Sequence, residues 1–133
     1  MSAERVTYLD SSAIVKLAIK EPESAALRRF LRRRTQIASS ALAQTEVARA
    51  LIAQGPEAVR RGGDLLQTVS LVRVSDQVLA LAGQLLPVEL RSLDAIHLAT
   101  ARLLGNDLAA LVTYDGRLAA GARGLKIRVV SPS

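Results

Sequence analysis

Four acids stand out by where they fall: Asp10, Glu46, Asp94 and Asp115. Asp10 ends the apolar run Arg5-Val6-Thr7-Tyr8-Leu9, and Asp115 closely follows Ala110-Leu111-Val112-Thr113. Positions just beyond strand ends are where open α/β sheets hold ligands, although each Asp alone also fits a helix cap or a turn. Glu46 falls in the apolar stripe Ala43, Val47, Ala50, Leu51 of a helix. A carboxylate facing a core needs a partner, and a pair with Arg49 is the plain alternative. Asp94 lies in the first turn of a helix through Ser92–Ala99, where the helix dipole favours an acid. The rest of that helix is so apolar that its start must pack on the sheet, aiming Asp94 into a cleft. If the four converge to about 5 Å, each ionised pair repels by roughly 3 kcal/mol at an effective dielectric near 20. Such a cluster persists only by taking protons or a cation. Hard oxygens without Cys or His beside them select Mg²⁺ or Mn²⁺ over zinc or copper. Ions held that way, with open positions, suit phosphodiester hydrolysis.

Strands and helices alternate along the chain in the way needed to position these acids. Strands are expected at 5–9, 36–39, 71–74, 109–113 and 126–130. Between them, Ser11 or Ser12 caps a helix over 13–18, and Pro22 opens a second through Leu31. Ser39 or Ser40 caps a helix over 41–54. A further helix over 57–68 is weakened by Gly62-Gly63. Asp76 caps a helix stopped by Pro87, Ser92 caps one over 93–104 ending at Gly105-Asn106, and a short helix follows Asp115. Strands separated by helices imply crossover connections, hence a mainly parallel sheet in a three-layer α/β/α arrangement. With 133 residues and no linker or repeat, the chain reads as one domain, 1–133.

Composition narrows the function. The absence of Cys excludes disulfides, thiolate nucleophiles and cysteine metal sites, and a single His, His97, excludes a multi-histidine site. Aromatic residues are 2% of the chain, which argues against base-stacking platforms. Gly62-Gly63 lacks the phosphate-loop pattern, so no nucleotide cofactor is expected. The charged start MSAERVTYLD is not a signal peptide, and no apolar run reaches the ~20 residues of a membrane span. A soluble, cytoplasmic protein without a membrane partner is expected. A net charge of +6 favours anionic partners, nucleic acid or an acidic protein.

With these residues in view the chain resembles the PIN-domain proteins, and more closely the VapC toxins of toxin–antitoxin pairs. The resemblance runs through YLDSSAIVKL (Tyr8–Leu17), SSALAQTEVARAL (Ser39–Leu51), LRSLDAIHLATA (Leu90–Ala101) and VTYDGRL (Val112–Leu118), each bringing one acid in the right order. It implies a PIN-like fold and a Mg²⁺- or Mn²⁺-dependent endoribonuclease. Asp10, Asp94 and Asp115 would be direct ligands, and Glu46 would act partly through water. Ser12 would orient the first carboxylate or a water, with helix capping as the alternative, and Thr113 would line the pocket unless it simply ends its strand. Many relatives carry a further acid after the fourth; here the chain reads Gly116-Arg117, leaving the number of cations open. The resemblance also implies an RNA substrate, a cognate antitoxin, and a homodimer or a heterocomplex with that antitoxin.

Other features fit weaker readings. Arg28, Arg29, Arg32, Arg33 and Arg34 form either a solvated helix face or a phosphate-contacting patch. His97, one turn after Asp94, reads as a packed, hydrogen-bonded core residue outside the site. Two rival functions remain: a non-catalytic RNA- or protein-binding module of the same fold, and a phosphoryl-accepting domain. The second leaves Glu46 and Asp94 unexplained.

Overall fold

The computed structural model describes residues 5–133. Five parallel strands form the central sheet: β1 (Val6–Leu9), β2 (Ile37–Ser40), β3 (Ser70–Val72), β4 (Leu108–Val112) and β5 (Val129–Val130). Their order is β3-β2-β1-β4-β5, and every pairing is parallel. The chain winds outward from β1 to one edge, then returns to lay β4 on the other side of β1. The winding direction therefore reverses between β1 and β4, which leaves a crevice outside their carboxyl ends.

Among the described residues seven α-helices cover the sheet: α1 (Ser11–Ala18), α2 (Ser24–Leu31), α3 (Ala43–Leu51), α4 (Pro56–Gln67), α5 (Asp76–Ala82), α6 (Ser92–Leu103) and α7 (Gly116–Gly124). Strand side chains alternate between two cores, as the two-residue period demands. Leu9 and Val112 point into a core with Ile14, Leu27, Val47 and Leu51. Their neighbours Tyr8 and Leu111 point the other way, against Leu98, Ala101, Leu118 and Ala122. The expected three-layer α/β/α architecture is what these two cores build.

Several boundaries differ from the sequence-based expectation. The caps of α1 and α5 are Asp10 and Ser75, whose side chains accept from the N–H groups of Ala13 and Val78, so neither Ser11, Ser12 nor Asp76 caps these helices. Helix α5 stops at Ala82, well before Pro87, and β5 is only Val129–Val130. Gly62-Gly63 does not interrupt α4. A Cβ on Gly62 would lie 2.5 Å from Leu51 Cδ1, so the missing side chain lets α4 approach α3. The same close approach recurs between α6 and α7, where a Cβ on Gly121 would lie 2.9 Å from Leu98 Cδ1. Leu98 has no solvent exposure. Leu98→Ala is therefore expected to lower stability by about 3 kcal/mol, read by urea denaturation.

Candidate metal centre

All four acids stand at helix N-termini. Asp10 caps α1 and Asp115 caps α7, while Glu46 and Asp94 lie in the first turns of α3 and α6. The capping and dipole explanations therefore describe how these carboxylates are placed, since a helix N-terminus favours a negative charge. In addition, β1 and β4 are aligned Leu9 to Val112, which sets Asp10 beside Thr113 across the crevice.

Asp10 is the most constrained of the four, at 3% exposure. Its Oδ1 accepts from Ser12 Oγ at 2.7 Å and from the Ala13 N–H at 3.0 Å, and its Oδ2 accepts from Thr113 Oγ1 at 2.5 Å. Burial raises its pKa, and the donors of Thr113, Ser12 and Ala13 offset only part of that rise. The two hydroxyls also tie the strand ends together. Ser12 Oγ accepts from the Tyr114 N–H at 3.0 Å, and Thr113 Oγ1 accepts from the Asp115 N–H at 3.0 Å. Thr113 follows the last residue of β4 and is fully buried, its hydroxyl bridging Asp10 and the Asp115 N–H.

Asp115 is exposed, and its Oδ1 accepts from the N–H groups of Arg117 and Leu118. Asp94 is half-buried and accepts no hydrogen bond among the described residues. Burial raises its pKa, and the charges of Asp115, Glu46 and Asp10 add to the rise while His97 opposes it. The four acids thus share one electrostatic neighbourhood. Asp94 bears repulsion from the other three that a divalent cation would relieve.

Glu46 does not pair with Arg49. Its Oε1 accepts from Ser11 Oγ at 2.6 Å and lies 2.7 Å from His97 Nε2. Burial pushes the Glu46 carboxyl up, but the His97 and Ser11 contacts outweigh it and hold the pKa below its usual value. His97 is buried and hydrogen-bonded as the sequence suggests, yet its partner is a member of the acidic set. Sequence reasoning left it outside the site. The available signal was its position on the inward face of α6, one turn after Asp94.

Among the described residues no group of three or more His, Asp or Glu side chains is drawn close enough to hold a metal ion by itself. The candidate donors are carboxylate oxygens, of which those of Asp10 are held by three hydrogen bonds. That suits Mg²⁺ or Mn²⁺, which keep waters and take few protein ligands. Beside Glu46 opens a cavity of about 390 Å³, lined by Ser11, Ser12, Val15, Lys16, Ala50 and Tyr114 among others. Lys16 is its cation, held by Glu23 at 2.7 Å and Glu21 at 3.4 Å and lying 5.1 Å from the Tyr114 ring centre.

A three-layer fold with acids gathered where its winding reverses defines a class, and the chain belongs to it: the PIN-domain family, whose model matches residues 7–124. Within that family it stands among the VapC ribonucleases. It is 58% identical to ribonuclease VapC46 of Mycobacterium tuberculosis, covering 95% of this chain and 97% of that one. Ribonucleases VapC47 and VapC35 of the same species are 38% and 41% identical, each across 94% of this chain and 96% of theirs. The fold matches the crystal structure of M. tuberculosis VapC20, a sarcin–ricin loop cleaving toxin, with a TM-score of 0.77 at 17% identity, covering 95% and 99% of the two chains. A chain of a toxin–antitoxin complex from Klebsiella pneumoniae matches with a TM-score of 0.70 at 23% identity, over 96% and 98%.

Proposed function

We propose that the whole chain works as one PIN domain, a Mg²⁺- or Mn²⁺-dependent endoribonuclease that is the toxin of a toxin–antitoxin pair. The observation that carries this reading is the placing of Asp94, half-buried and within reach of the charges of Asp115, Glu46 and Asp10, in a chain 58% identical to a VapC ribonuclease. Asp10, Asp94 and Asp115 are the direct ligands in this proposal, and Glu46 acts at least in part through water. A bound cation supplies charge that polarises the scissile phosphodiester and eases attack by water. The protein's own residues do the positioning. Ser12 and Thr113 fix both oxygens of Asp10, so the central ligand needs no reorganisation when substrate arrives.

The basic balance of the chain draws the anionic polymer toward the acidic crevice. At the end of α2 and just beyond it, Arg28, Arg29, Arg32 and Arg33 are exposed, Arg28 donating to the Leu17 carbonyl, while Arg34 stacks 3.7 Å from the Phe30 ring centre. Arg117, next to the fourth acid, is exposed. These exposed guanidinium groups would track phosphates and carry no sequence choice. An antitoxin is the expected protein partner, supported by the structural match to a toxin–antitoxin complex. Homodimerisation has support in Leu79, Leu86, Val88 and Leu93, large apolar side chains that α5, α6 and the segment between them leave exposed. No described helix is long and apolar enough to cross a membrane.

The test is cleavage of total cellular RNA with mapped ends, with and without added cation. Cutting is expected with Mg²⁺ or Mn²⁺, to vanish in EDTA and to return when the ion is restored. Asp10→Asn should lose it with its fold intact by circular dichroism. RNA binding that persists in EDTA, without cutting under any condition, would favour the non-catalytic module.

A further inference from the structure

A buried hydrogen-bonded chain crosses the protein behind the acids. Tyr8 Oη on β1 lies 2.7 Å from His97 Nδ1, and His97 Nε2 on α6 lies 2.7 Å from Glu46 Oε1 on α3. Ser11 Oγ on α1 reaches the same Glu46 oxygen at 2.6 Å and sits 3.3 Å from His97 Nε2. His97 is 2% exposed and Tyr8 is fully buried, with their rings edge to face at 78°. An imidazole used only to fill a core has no need of a carboxylate. Here both ring nitrogens are engaged, and one engages an acid of the cation site.

We propose that His97 is a positioning residue for Glu46, held by Tyr8 so that the proton it presents to the carboxylate is on Nε2. The inference rests on the metal reading above and adds to it a device that aims one of the four acids. The phenol O–H of Tyr8 donates to Nδ1, which leaves Nε2–H to donate to Glu46 Oε1. With Ser11 donating as well, Oε1 is fully used, whereas Oε2 accepts no hydrogen bond among the described residues. The carboxylate is thereby fixed by one oxygen while the other stays available to the cation or its water. His97 does not touch the reacting atoms in this scheme; it acts through Glu46. Partners of this kind typically change metal affinity by about 10–100-fold when removed.

The chain contains one histidine, so ¹⁵N-histidine labelling of the untagged protein reports His97 alone. A pyridine-type Nδ1 and a pyrrole-type Nε2 are expected at neutral pH, and Tyr8→Phe should give a mixture of tautomers. Calorimetric Mn²⁺ titration without RNA supplies the second readout. His97→Leu should weaken Mn²⁺ binding about tenfold or more. His97→Gln, which retains an N–H in the place of Nε2, should stay within about threefold of wild type. A wild-type protein that takes up no Mn²⁺ sinks the metal reading, and the positioning role with it. A wild type that binds Mn²⁺ beside a folded His97→Leu that binds it equally sinks the positioning role alone, as does a proton found on Nδ1. If His97→Leu does not fold, Tyr8→Phe decides. Weakened Mn²⁺ binding with mixed tautomers supports the proposal, and an unchanged spectrum and affinity overturn it.

Discussion

Asp94→Asn is expected to abolish RNA cleavage while raising the melting temperature of the cation-free protein. Both effects have one cause. Asp94 lies half-buried in the field of three other acids and accepts no hydrogen bond of its own among the described residues. Its folded-state pKa is therefore raised above the ordinary Asp value of 3.8, first by burial and then by Asp115. A carboxyl raised in this way stabilises the fold fully below its unfolded pKa, and that contribution is lost as pH rises through the folded pKa. At neutral pH the wild type bears the repulsion and the amide does not. The expected gain is a few degrees, since solvent screening at a half-buried site keeps the effect near about 1 kcal/mol. Below the unfolded pKa the two melting curves should converge. Saturating Mg²⁺ or Mn²⁺ should invert the order at neutral pH, because binding at 100 times Kd adds about 2.7 kcal/mol to the protein that binds. Cleavage should fall by about 10³-fold or more, as when a group offsetting transition-state charge is removed. Differential scanning fluorimetry with and without EDTA, beside a cleavage assay, checks all of this. A variant that melts lower than wild type in EDTA would mean that Asp94 is stabilising where it stands.

The sequence carried the architecture well where apolar runs and helix starts were strong. It carried strand ends and caps less well. The run Val6–Leu9 and the run before Thr113 were legible because both faces of a central strand are buried and the residues are nearly all apolar. Gly62-Gly63 misled because propensity counts the glycine's cost in α4 and cannot see α3 waiting for the space. For the acids, the position of Glu46 in an apolar stripe was informative, but its partner was not. Arg49 is three residues away in sequence, whereas His97 is 51 residues away, on a helix packed against the opposite face of the sheet from α3. The hydroxyls were legible as residue types near the acids. Their double roles depend on the alignment of β1 with β4, which no local pattern encodes.

Thr113→Val should disable the centre without replacing any carboxylate. The shapes are nearly equal, so the change removes one hydroxyl and little else. That hydroxyl is fully buried, donates to Asp10 Oδ2 at 2.5 Å and accepts from the Asp115 N–H at 3.0 Å. Its loss leaves a buried carboxylate one donor short, and a group left unsatisfied in that way costs about 1–3 kcal/mol. It also frees the junction between β4 and α7, where Asp115 is carried. The Asp10 pKa is already raised by burial, with Thr113 the largest opposing influence. Removing that influence moves it further up. Because the cation competes with the proton for the same oxygens, the acid limb of the pH–activity profile should shift to higher pH. At neutral pH, activity and Mn²⁺ affinity should fall by about 10–100-fold, as for other partners that orient a metal ligand. Thr113→Ser keeps the hydroxyl and loses a buried methyl worth about 1 kcal/mol, so it should melt lower than wild type yet cut RNA with an unshifted acid limb. The pair separates packing from orientation. If Val and Ser variants lost stability alike but kept wild-type activity and pH profile, the bridge from Thr113 to Asp10 would be a structural tie with no part in holding the cation.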